Sequence, residues 1–153
     1  MYAIARPWRL IVAAFVMGLA GSGTALAAAE TPATLDGVKV ITAEEGKKML
    51  DKGVPFIDAR VSAEYAEKSI KGAKSVPYRE KSAKAADFDR AQDQFDLDKL
   101  PRDKNAPLVF FCNAGECWKS YKASTVALRA GYREVYWFRG GLPEWKRMGF
   151  PVE

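Results

Sequence analysis

The chain has 153 residues, the length of one domain, with enough aliphatic and aromatic content to bury a core. Its formal charge of +5 falls to +3 once residues 1–27, with Arg6 and Arg9 and no acid, are set aside, an excess too small and scattered for a nucleic-acid surface. No histidine is present, which excludes Cys–His and Ser–His catalysis and histidine zinc sites, and two cysteines are too few for a closed structural zinc site.

Residues 1–29 read as a secretory signal peptide. Arg6 and Arg9 make a basic start, residues 10–20 an apolar core, and Ala25-Leu26-Ala27 and Ala27-Ala28-Ala29 are small-x-small cleavage patterns. The rival reading is an uncleaved membrane anchor, which Gly18, Gly21, Ser22, Gly23 and Thr24 weaken by interrupting the apolar run. Cleavage would place the mature protein in the periplasm or another exported, oxidising space, with no membrane attachment. Residues 30–37, with Thr31, Pro32, Asp36 and Gly37, read as a linker.

A domain is expected over 38–153. Residues 38–41 alternate as a strand. Thr42 and Glu45 have capping-box spacing, so a short helix should run to Asp51 and end at Gly53. Residues 55–58 form a buried strand by composition, and Asp58 and Arg60 stand just past its end, as an ion pair or loop cap rather than as catalytic groups. Ser62 is placed to cap a second helix. Residues 70–73 make a turn, and 75–77 a short extended piece closed by Pro77. Residues 79–104 are polar; they read as one or two short helices in a long connection. Phe88, Phe95, Leu97 and Leu100 tether it, and its charges form a solvated face.

Residues 107–111 should be the central strand and 118–130 the helix after it, with Tyr121, Thr125 and Leu128 on an apolar stripe and Gly131 as C-cap. Residues 134–138 read as a further strand, Arg139-Gly140-Gly141 as a turn, and 142–148 as a helix with Pro143 in its first turn. Strands alternating with helices imply a parallel sheet with helices on both faces.

Between the central strand and its helix lies Cys112-Asn113-Ala114-Gly115-Glu116-Cys117. Backbone N–H groups at such a turn, with the helix start behind them, favour an anion. A thiol at the first position would have its thiolate favoured by the same groups, which predicts a lowered pKa for Cys112. The other reading of Cys112 is a buried strand-end residue.

In this order the pieces resemble a single-domain rhodanese. Phe56-Ile57-Asp58-Ala59-Arg60 resembles the family's strand ending in Asp-x-Arg, and Glu64-Tyr65 the acid–aromatic pair after it. Residues 70–77 resemble its Ile-x-Gly-Ala-x-x-x-Pro segment, and Val109-Phe110-Phe111-Cys112 the strand ending at the active cysteine. Gly131-Tyr132, Arg139-Gly140-Gly141-Leu142, Trp145, Gly149 and Pro151 resemble its closing pattern. Three departures stand out: Ser69 replaces the usual histidine, Cys117 stands where many members have arginine, and Glu116 adds negative charge. Lys119, already on the helix, is expected to be the only basic side chain close to the loop. The run from Cys112 to Trp118 is also similar to an exported subset that accompanies quinone-dependent alcohol oxidation.

The resemblance implies a sulfurtransferase. The Cys112 thiolate would attack a sulfane sulfur, such as that of thiosulfate, and carry it as a persulfide to a thiol acceptor. Asn113, Ala114, Gly115, Glu116, Cys117 and Lys119 would bind the substrate, and Asp58 and Arg60 would support the loop. The partners are a small-molecule sulfur donor, a thiol acceptor, and a protein acceptor or reductant; no cofactor, metal or nucleic acid is called for. The loop is too short, and lacks the arginine, for the related phosphatase branch. Two other functions stay open: a thiol–disulfide protein using Cys112 and Cys117, and a non-catalytic rhodanese-like binding module.

Overall fold

The structure, a computed structural model, describes residues 29–153. The expected signal segment therefore lies outside the described residues, except for Ala29. Among the described residues, no helix is long and apolar enough to cross a membrane.

The elements follow in chain order as β1 (Lys39–Val40), α1 (Ala43–Asp51), β2 (Phe56–Asp58), α2 (Ser62–Glu67) and β3 (Lys74–Ser75), then β4 (Leu108–Phe111), α3 (Trp118–Arg129), β5 (Val135–Phe138) and α4 (Gly141–Arg147). All five strands pair in parallel, in the order β1-β5-β4-β2-β3. This is the expected α/β domain, with β4 at its centre. Helices cover both faces, so a central strand has no wet side and reads as an unbroken apolar run. Leu108, Val109, Phe110 and Phe111 are all buried. Leu108 and Phe110 join a core with α3 and with Phe88, Phe95 and Leu100. Val109 and Phe111 join a second core with Ala43 of α1 and with Leu142 and Trp145 of α4.

Local signals fix most boundaries. The capping box at α1 forms in full: Thr42 Oγ1 accepts from the Glu45 amide, and the Glu45 carboxylate accepts from the Thr42 amide. Glu144 of α4 also accepts from the Ala43 amide at 3.0 Å, so the start of α1 is tied to α4. The cap of α2 differs from expectation. Val61 occupies the N-cap without a side-chain bond, and Ser62 is the first helical residue.

Residues 79–104 contain two 3₁₀ turns, Arg90–Gln92 and Leu97–Lys99, capped by Asp89 and Asp96. The expected solvated face is only part of the story. Asp93 is buried and accepts from the amides of Lys81 and Ser82 and from the hydroxyls of Ser82 and Tyr78. Lys122 of α3, fully buried, donates to both oxygens of Ser82, lies 2.8 Å from the Glu80 carboxylate and sits over the Phe88 ring. These pairs clamp the connection onto α3. They also explain why α3 is buried over nearly its whole length rather than along the stripe of Tyr121, Thr125 and Leu128.

Candidate active site

The loop from Cys112 to Cys117 joins β4 to α3, at the carboxyl edge of the sheet where parallel α/β proteins open a crevice. Three contacts set its floor. Ala59, just past β2, donates to the Phe111 carbonyl at 3.0 Å, and Leu142 of α4 donates to the Cys112 carbonyl at 3.0 Å. Gly141 has φ +57°, and a Cβ there would fall 2.1 Å from the Cys112 carbonyl oxygen. Only glycine permits that approach, which is the physical content of Arg139-Gly140-Gly141. Within the loop, Ala114 takes a left-handed φ of 56°, and its carbonyl accepts from the Cys117 amide at 3.1 Å.

Asp58 and Arg60 lie beside the floor. Arg60 Nη2 meets Asp58 Oδ2 at 2.6 Å, both side chains are buried, and Ser69 donates to the same oxygen at 2.7 Å. Arg60 also donates to the Lys68 carbonyl, which ties the end of α2 to the pair. A fully bonded buried pair of this kind holds the crevice in shape, and losing one partner would strand a charge. Glu64, on α2, accepts from the Asn113 side chain. Glu116 is exposed at the rim.

The two cysteines meet through the Cys112 sulfur and the Cys117 carbonyl, with unequal surroundings. Cys112 is 1% exposed. Its Sγ lies 2.9 Å from Ser120 Oγ and 3.1 Å from the Cys117 carbonyl oxygen. Ser120 Oγ in turn accepts from Trp137 Nε1 at 2.9 Å. Burial, followed by the hydrogen bond to Cys117 and the charge there, pushes the Cys112 pKa up. Cys117 is half-buried. The hydrogen bond from Cys112, helped by the amides of Asn113 and Lys119 and by the Lys119 charge, outweighs burial and lowers the Cys117 pKa to about 6. The expected low pKa at Cys112 is therefore corrected. The loop does favour a thiolate, but at its last position, because the Cys112 side chain turns down toward α3 while the amides converge on Cys117.

A second correction concerns cations. Lys119 is not alone beside the loop: Arg139, just past β5, lies so close to Gly115 that a Cβ there would meet Arg139 Nη2 at 2.8 Å. Arg139 donates to Thr31 Oγ1, to the carbonyls of Thr31 and Pro32, and to Glu30. The segment read as a linker contributes directly. The Thr31 amide and hydroxyl both donate to the Gly115 carbonyl, at 2.8 and 2.7 Å, and Trp118 Nε1 donates to the Ala29 carbonyl at 2.7 Å. Thr31 is buried. These residues stand 84 or more positions from their partners, beyond any local sequence signal. Among the described residues, no three metal-ligating side chains gather.

A family model for the rhodanese-like domain matches residues 42–148. Among curated proteins, the chain is 32% identical over 108 residues to the tRNA uridine(34) hydroxylase of Hamiltonella defensa subsp. Acyrthosiphon pisum, across 70% of this chain and 28% of that one. It is 32% identical over 56 residues to a sulfurtransferase of Allochromatium vinosum, across 37% of this chain and 49% of that one. The chain thus spans less than half the length of either relative. Among solved structures, the rhodanese-like domain of an Anabaena sp. protein is 25% identical, with a TM-score of 0.53 over 74% of this chain and 76% of that one.

Proposed function

Because this chain belongs to the rhodanese-like domain family, we propose that it is a sulfurtransferase that moves sulfane sulfur through a persulfide on Cys112. The observation that carries this reading is the position of Cys112, the first loop residue at the end of the central parallel strand, with its sulfur against Ser120 Oγ. Attack by the Cys112 sulfur on the outer sulfur of thiosulfate breaks the sulfur–sulfur bond. Sulfite departs with the bonding electrons, and the sulfur stays on Cys112. A small thiol, or a thiol on a protein acceptor, then collects it. Ser120 Oγ, which accepts from Trp137 Nε1 and lies 2.9 Å from the Cys112 sulfur, is placed to donate its proton to the sulfur anion and stabilise it. No histidine base is needed for this chemistry.

Export belongs to the same proposal. Its support is the basic start, apolar core and small-residue sites of residues 1–29. An oxidising compartment would make the redox state of the two thiols part of the enzyme's control.

The test is intact-mass spectrometry of reduced protein after thiosulfate treatment. Wild type should gain the mass of one sulfur atom, removable by reductant, and Cys112→Ser should gain none. A gain that survives in Cys112→Ser would overturn the assignment.

A further inference from the structure

The loop holds two thiols where transfer of a sulfane sulfur needs one. They differ in access, in partners and in charge. Cys117 is half-buried and Cys112 is sealed. The Cys112 Sγ makes its contacts inward, to Ser120 Oγ and the Cys117 carbonyl. The Cys117 thiol has a lowered pKa, favoured by Cys112, by the amides of Asn113 and Lys119 and by the Lys119 charge. Cys117 is therefore the more open of the two to a bulky disulfide, and the Cys112 sulfur lies 3.1 Å from the Cys117 carbonyl oxygen.

We propose that the loop is also a thiol–disulfide exchange couple, in which Cys117 is the attacking thiolate and Cys112 the buried resolving thiol. The substrate is a disulfide, RS–SR. The Cys117 sulfur attacks one of its sulfurs, the RS–SR bond breaks, and RS⁻ leaves with the bonding pair. Cys117 then carries a mixed disulfide. Its negative charge is gone, which removes one of the causes that hold the Cys112 pKa up. Cys112 releases that proton, which ends on a leaving thiolate, while Ser120 donates to the new anion. The Cys112 thiolate attacks the Cys117 sulfur, the second RS⁻ departs, and a Cys112–Cys117 disulfide remains. Two protein thiols have lost two electrons, and one substrate disulfide has gained them. A dithiol reductant reverses the sequence and resets the couple.

The order of attack follows from the surroundings. Cys117 is partly open to solvent while Cys112 is 1% exposed, and the lowered Cys117 pKa acts in the same direction, so the two sulfurs should differ in attack rate by about tenfold or more. The Lys119 charge beside Cys117 adds to the same bias.

This activity needs no persulfide, so it can fail or stand independently of sulfur transfer from thiosulfate. The test uses glutathione disulfide with fully reduced, full-length chain, acid-quenched and read by intact mass and peptide mapping. Wild type should end as the internal disulfide with both glutathiones released. Cys112→Ser should stop with one glutathione on Cys117. Cys117→Ser should react at least about tenfold more slowly than wild type. A wild-type pulse with iodoacetamide guards against a variant that misfolds: the label should enter Cys117 before Cys112. Glutathione on Cys112 of Cys117→Ser at the wild-type rate, or label entering Cys112 first, would overturn the assignment of roles. Absence of an internal disulfide in wild type would overturn the couple itself.

Discussion

Cys117, the last residue of the loop, has a lowered pKa. Its thiolate rests first on the hydrogen bond from Cys112, then on the amides of Asn113 and Lys119 and on the Lys119 charge, with burial opposing. The consequence for pH is direct. A lowered pKa keeps the reactive form down to about pH 6, so alkylation of Cys117 should be fast at neutral pH and fall by half near that value. Lys119→Ala removes a supporting charge and should move the midpoint upward. Iodoacetamide rates across pH, resolved by peptide, read both numbers. A midpoint near that of an ordinary thiol in the wild-type chain would contradict the electrostatic account.

At the scale of elements, the loop is held from below by α4. A Cβ on Gly141 would fall 2.1 Å from the Cys112 carbonyl oxygen and 2.8 Å from the Ala114 nitrogen, both backbone atoms that cannot swing away. Gly141→Ala should therefore cost about 3 kcal/mol or more and displace the loop. Gly149, with φ +71° and nothing within 4 Å of its Cβ direction, isolates the conformational part of that cost. Gly149→Ala should lose only about 1–2 kcal/mol. Urea denaturation of the two variants measures the difference, and equal losses would show that close approach at Gly141 is relieved elsewhere. The elements themselves were legible because their signals are local: the Thr42–Glu45 box, the apolar run of β4, the glycine after α1. What stayed hidden depends on partners far along the chain. Nothing near Thr31 announces Gly115, nothing near Arg139 announces Thr31, and Lys122 looks like a surface lysine until residues 79–104 fold over it. The loop was readable as an anion-favouring turn. Which sulfur it favours depended on the direction of the Cys112 side chain, and that is set by Ser120 and Trp137.

At the scale of the whole molecule, residues 79–104 are fastened by buried charge rather than by regular structure. Burial opposes ionisation of Asp93, but the hydroxyl and amide of Ser82, the Lys81 amide and the Tyr78 hydroxyl outweigh it and hold the Asp93 pKa down to about 2. A carboxylate depressed in the folded state adds stability above its unfolded pKa, and that stability is lost as pH falls toward the folded value. From 3.8 to about 2, the contribution is roughly 2 kcal/mol, present at neutral pH and lost between about pH 4 and 2. Asp93→Asn should lower stability by that order at pH 7 and flatten the acid limb of the stability curve; thermal melts at several pH values test it. The ties at the two chain ends bear on a practical matter, where a recombinant fragment is cut. Boundaries drawn at the family match, 42–148, would discard Thr31 and its grip on the Gly115 carbonyl, and strand β1 beside β5. They would also discard the Pro151 carbonyl that satisfies Trp145 Nε1, and Glu153, whose amide and carbonyl pair with those of Ser69. Such a fragment would keep both cysteines while losing the outer wall that shapes the space around them, and its chemistry would then be that of an open loop.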